Sequence, residues 1–196
     1  SAMKGNVAIF AAGNDAKATA DYPGAYNEFI AVTAYAPDGL PTTYTNYNYG
    51  CNVAAPGGDF WISGLNSYEY AYEGSVLSTL PAETVDPYNG KEYGTDYGYM
   101  QGTSMACPHV SGVVALGLSY ARKLGKEYSY DEFLAMIYTS VNNLDYYIET
   151  CSKVSNGINF DLTPYWQQMG TGLIDTWRLF MQIEGTPSLV AKTGES

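Results

Sequence analysis

The stretch from Gly102 to Gly112, Gly-Thr-Ser-Met-Ala-Cys-Pro-His-Val-Ser-Gly, constrains the fold more than any other. A glycine and a hydroxyl pair are followed within two turns by a proline. An apolar small-residue run, Val113 to Leu118, comes next. Proline fits a helix only near its start, where a missing N–H costs little. The spacing therefore predicts a helix over 103–123, with Thr103 or Ser104 as its N-cap. Gly112, Ala115 and Gly117 are expected to pack closely against neighbouring backbone. A serine in the first turn stands at the positive end of the helix dipole. That place suits a nucleophile whose reaction develops negative charge, but a plain capping hydroxyl reads the same way.

The rest of the chain reads as α/β. Asn6 to Ala12 is a short continuous apolar run ended by Gly13-Asn14-Asp15, the pattern of a buried parallel strand and a turn. Phe29–Ala34, Asn52–Ala55 and Val76–Leu80 repeat it, closed by Pro37-Asp38-Gly39, Pro56-Gly57-Gly58 and Pro81. Residues 42–49 are polar and aromatic and are expected to be half exposed. Tyr130 to Val141 carries Phe133, Leu134, Ile137 and Val141 at helical spacing, with Asp131 and Glu132 in its first turn. A further helix is expected over 176–183, after an irregular segment, 142–169. Strands first and helices late fit a single α/β unit over 4–185, with surface insertions near 59–74, 82–98 and 145–168 and a tail over 186–196. Ser1-Ala2-Met3 reads as an expression scar.

Composition excludes several functions. The formal net charge is −11, against the basic face that nucleic-acid phosphates require. No run reaches the roughly 20 apolar residues of a membrane-spanning helix. Cys51, Cys107 and Cys151 make neither a disulfide framework nor a metal-ligand spacing, so no metal and no cofactor is expected.

The Gly102–Gly112 string closely resembles the serine motif of the subtilisin-like proteases, the subtilases. Other stretches resemble that family in the same order: Ala11-Ala12-Gly13-Asn14, Tyr22 to Ala34, Val53 to Gly58, Val76 to Pro81 and Gly170 to Asp175. The resemblance implies part of the family's three-layer fold, with a mostly parallel sheet and the serine at the N-terminus of a central buried helix. It implies that Ser104 is the nucleophile and that Asn14 donates to the oxyanion. It puts Asp21, Asp15 and Gly13 at the substrate pocket, where two carboxylates would favour Arg or Lys by charge. A solvated pair of loop acids is the plainer reading of Asp15 and Asp21. Asp38 lies near a weak cation site of some members, although a turn explains it as well. Family habit implies polypeptide substrates and an extracellular or cell-envelope location.

The resemblance covers only the C-terminal half of a catalytic domain. The family's Asp and His belong upstream of Asn6, and the sole histidine, His109, sits five residues past Ser104 on the same helix. The chain alone is therefore expected to lack useful protease activity. It is also expected to expose a sheet edge and apolar helix faces, and so to self-associate or to pair with the missing N-terminal half. A non-catalytic interaction module of the same family remains the alternative.

Overall fold

The computed structural model describes residues 5–19, 21–60, 74–81, 83–85, 90–92, 94, 96–149, 151–155 and 158–186. Three parallel strands open it: β1 (Ile9–Ala11), β2 (Ile30–Tyr35) and β3 (Val53–Pro56), paired in sequence order with Ile9 opposite Ile30 and Val32 opposite Val53. A hairpin follows, β4 (Val76–Thr79) against β5 (Tyr97–Met100). The long helix α1 spans Thr103–Lys123, and α2 spans Tyr130–Thr139. Then come β6 (Val141–Asn142), α3 (Asp145–Ile148), β7 (Ser152–Ser155), β8 (Ile158–Asp161), a 3-10 turn (Thr163–Tyr165), β9 (Leu173–Ile174) and α4 (Thr176–Glu184). Among the described residues the main sheet has the order β1-β2-β3-β9-β6, parallel except for the β6–β9 pair.

Strand alternation explains how the sheet is covered on both faces. Ile30, Val32 and Ala34 of β2 turn to one side, with Val53 and Ala55 of β3. There they meet Ala106, Val110 and Val114 of α1, Phe133 and Ile137 of α2, and Leu179 and Ile183 of α4. Tyr35 and Ala54 turn to the other side, against Ile148, Leu162, Tyr165 and Met169. The fold is thus mixed α/β with a mostly parallel sheet, one face under helices and the other under the 144–169 segment.

Several expectations need correction. Val76–Leu80 does form a strand, but in the separate β4–β5 hairpin. The irregular 142–169 segment contains α3 and an antiparallel β7–β8 hairpin. Residues 42–49 form a loop that is partly exposed, as expected, but is anchored at buried polar positions. Thr42, Thr45 and Asn46 are fully buried, and Thr45 and Asn46 are held there by hydrogen bonds to their neighbours. Most of the insertion expected near 59–74, part of that near 82–98, residues 1–3 and the tail beyond Thr186 lie outside the described residues.

Helix α1 has the expected limits, but it is not enclosed. Thr103, Ala106, Val110, Val114, Gly117 and Ala121 are buried at three- and four-residue spacing. Of the expected close-packing residues only Gly117 faces neighbours; Gly112 and Ala115 are exposed, and Leu116 beside them is 53% exposed. That open face continues into a groove of about 390 Å³ lined by Val7, Ile9, Ser111, Ala115 and Leu118, next to the edge strand β1.

The buried hairpin lysine, Lys153, joins the 144–169 layer to the sheet. Its ammonium lies 3.2 Å from Asp59 Oδ2 and 3.6 Å from Asp38 Oδ2. The side chains of Lys153 and Asp59 are fully enclosed, and that of Asp38 is 16% exposed. Asp38, the residue set beside a weak cation site by resemblance, therefore faces a lysine ammonium.

Candidate active site

Helix α1 begins without a side-chain cap. Gly102 takes the N-cap position at φ 151°, and neither Thr103 nor Ser104 caps. Thr103 is instead fully buried and engaged with Asn14. The Thr103 N–H and the Thr103 hydroxyl both donate to Asn14 Oδ1, each at 2.9 Å. The same hydroxyl accepts from the Gly13 N–H at 3.2 Å. With Oδ1 held, the Asn14 amide nitrogen is left as the outward donor. Ser104 is exposed at the first turn, and its amide has no acceptor among the described residues. By contrast, the Met105 and Ala106 amides both donate to the Gly102 carbonyl.

These two donors flank one space. A β-carbon on Gly102 would stand 3.6 Å from Asn14 Nδ2 and 3.6 Å from the Ser104 amide nitrogen. Gly102 carries no side chain, so that space stays open. Two amide nitrogens bordering one space, with Met105 Sδ at 3.7 Å on its rim, beside an exposed serine at a helix N-terminus are an arrangement that can stabilise a developing oxyanion.

The missing N–H of Pro108 leaves the Ser104 carbonyl without its helical donor. Nearby side chains take up carbonyls of the same helix. His109 Nδ1 donates to the Met105 carbonyl at 2.7 Å, and the Ser111 hydroxyl donates to the Cys107 carbonyl at 3.1 Å. His109 is thus bound to its own helix.

Gly13, Asp15 and Asp21 are brought together unequally. Asp21 Oδ2 accepts from Asn46 Nδ2 at 2.9 Å. A β-carbon on Gly13 (φ +109°) would fall 2.0 Å from Asp21 Oδ2 and 2.3 Å from Asn46 Nδ2, so only glycine fits. Asp15 turns away: its carboxylate is 3.9 Å from Lys17 in an exposed pair. Asp21 also borders a crevice with Ala12, Ala25, Ala31 and Cys51 that is closed to water. Burial there pushes the Cys51 thiol up to about 11; a backbone hydrogen bond with Asn48 opposes the rise and the Asp21 charge adds to it.

Thr103 and Asn46 were not singled out from the sequence. For Thr103 the signal was present, as the middle residue of Gly-Thr-Ser, but a cap explained it. For Asn46, one of several polar residues between tyrosines, no local pattern marked it.

The family model for the subtilase family matches residues 1–156. The chain belongs to the subtilase family. An extracellular basic protease of Dichelobacter nodosus is 33% identical over 123 residues, which is 62% of this chain and 17% of that protein. Thermitase of Thermoactinomyces vulgaris is 33% identical over 119 residues, covering 61% and 33%. A major intracellular serine protease of Bacillus subtilis is 35% identical over 121 residues, covering 59% and 29%. Among solved structures, a protease of Pseudoalteromonas arctica superposes at TM-score 0.63 with 27% identity, over 91% of this chain and 43% of its own. The subtilase chain described here therefore spans a third or less of these curated relatives and less than half of that solved chain.

Proposed function

We propose that this chain is the nucleophile and oxyanion-hole half of a serine endopeptidase. The observation that carries the reading is the pair of donors, Asn14 Nδ2 and the Ser104 N–H, flanking the open side of Gly102. Ser104 Oγ attacks the scissile carbonyl, and its proton passes to a base. The carbonyl oxygen gains negative charge and is held by the two donors. The same base returns the proton to the leaving amine, and water then releases the acyl group. His109 is tied to Met105 and does not act as that base. The base and its carboxylate come from polypeptide outside the described residues, packed on the edge of β1 and the open face of α1. The isolated chain is inactive, and its open face drives self-association or pairing.

Asp21 gives the pocket a preference for Arg or Lys before the scissile bond, since a carboxylate beside Gly13 attracts a cation. Asp15, turned to Lys17, contributes only long-range charge. The substrates are polypeptides. The location is extracellular or cell-envelope, in line with relatives named as extracellular, although two are named as intracellular.

Peptide turnover is the test, measured on this chain and on a longer polypeptide carrying the upstream half, each with its Ser104→Ala variant. Turnover in the longer protein that disappears with Ser104→Ala is expected, with none in the isolated chain. Turnover indifferent to Ser104→Ala would overturn the catalytic reading in favour of an interaction module. Rapid Ser104-dependent turnover by the isolated chain would overturn the split.

A further inference from the structure

We propose that Asn46 is a positioning residue for this reaction, holding the turn that aims Asn14 and fixing the Asp21 carboxylate through one side-chain amide. The inference rests on the proposed role of Asn14.

Asn14 is exposed at the apex of the turn after β1, and a turn apex does not hold its own direction. Its Oδ1 is tied to Thr103, but its backbone must be held from beneath. Asn46 does this from a fully buried position. Its amide nitrogen donates to the Ala12 carbonyl at 3.2 Å and to Asp21 Oδ2 at 2.9 Å. Its amide oxygen accepts from the Asp15 N–H at 2.9 Å and the Lys17 N–H at 3.3 Å. Its backbone N–H donates to the Gly13 carbonyl at 2.9 Å. The residues immediately before and after Asn14 are thus gripped by one side chain and its backbone. All four hydrogen-bonding positions of the amide are filled. Turning the amide over would set donors against donors and acceptors against acceptors.

The same amide reaches the acid of the pocket. Asp21 has one oxygen engaged by Asn46, so the oxyanion donor and the pocket carboxylate share a support. Gly13, whose missing side chain lets Asp21 and Asn46 approach, lies between them. A shift of Asn46 therefore moves both ends together. Asn46 touches neither Ser104 nor the space beside Gly102; it acts through Asn14.

A double-mutant cycle on the longer, complete protein tests this. Asn46→Ser shortens the side chain and releases the clamp. Misplacing a reacting group by about 1 Å costs up to roughly 100-fold, so kcat is expected to fall about 10- to 100-fold with the protein still folded by circular dichroism. In the Asn14→Ala background, where there is no donor to aim, the further loss is expected to be less than about twofold. KM for a substrate with a neutral residue before the scissile bond is expected to stay within about twofold. If Asn46→Ser does not fold, Asn46→Thr carries the same cycle, because it fills more of the buried space and sets no second charge beside Asp21. Equal losses with and without Asn14, or an unchanged kcat in a folded variant, would overturn the inference. A wild-type protein without turnover, or an Asn14→Ala variant at the wild-type rate, would instead overturn the function on which it rests.

Discussion

Replacing Lys153 by Met asks how firmly the β7–β8 hairpin is locked to the sheet. Methionine keeps most of the aliphatic stem and removes the ammonium. Asp38 is partly exposed and can recover water, so the cost falls on Asp59, which is fully enclosed. Removing one partner of a buried ion pair typically costs 3–5 kcal/mol, because the other charge stays buried. Asp59 keeps other partners, among them the Thr43 N–H at 2.8 Å and the Thr43 hydroxyl at 3.3 Å. The expected loss is therefore at the low end, about 3 kcal/mol. With a urea m-value of about 1–3 kcal/mol per molar, the midpoint falls by roughly 1–3 M. Asp59→Asn alone is milder, since Lys153 still faces Asp38. Lys153→Met with Asp59→Asn removes the stranded charge and is expected to recover at least half of the single loss. Equilibrium urea unfolding at pH 7, followed by far-ultraviolet circular dichroism, measures all three. A midpoint shift below about 0.3 M for Lys153→Met, or a double variant that loses the full sum, would refute the reasoning.

Asn14→Ala in the complete protein is expected to lower kcat by roughly 10²–10³, a magnitude established within this family rather than worked out from this geometry. Thr103→Val, which removes only one of the two bonds to Asn14 Oδ1, should cost less; steady-state kinetics ranks the two. Gly117→Ala puts a methyl 2.7 Å from Leu179 Cδ2 and 3.2 Å from Phe133 Cζ. Overpacking of about 1–3 kcal/mol is offset by up to about 1 kcal/mol of helix preference. The melting temperature should therefore fall by about 2–4 °C for each net kcal/mol. Cys51 gives a pH dependence. Its thiol ionises near 9.0 when unfolded and near 11 when folded, so the unfolded chain loses its proton first. Stability is fully present below pH 9 and declines towards pH 11, by about 3 kcal/mol at 1.36 kcal/mol for each tenfold change in proton affinity. Cys51→Ala should flatten that decline; Tyr35, also raised by burial, leaves a residual slope above pH 10.

The long periodic elements could be read from the sequence because they satisfy their own rules. Helix α1 was bounded by Gly-Thr-Ser and by the end of its apolar run, and the core strands by glycine and proline. What escaped was decided by partners distant along the chain. Thr103 looked like a cap because caps are local; its true partner, Asn14, lies 89 residues away. The loop around Asn46 looked exposed because it is polar, yet a polar loop can be buried where each group is matched, and a single sequence does not show that matching. Gly112 and Ala115 looked like close-packing positions because small residues permit it. Permission is not contact, and no described residue supplies the surface opposite them. Lys153 lies in a segment that reads only as irregular, and its burial is decided by Asp59 and Asp38, far away along the chain.

The Asn14–Thr103 contact joins the first tenth of the chain to a point just past its middle. Bonds between residues 13 or 14 and residue 103 span 90 and 89 positions, and pairings so distant along the chain are slow to form. In the function proposed above, Ser104 is put to use only where these bonds have formed. For the proposed endopeptidase this is a safeguard in time: a chain that has not yet joined these two regions lacks the means of cutting itself.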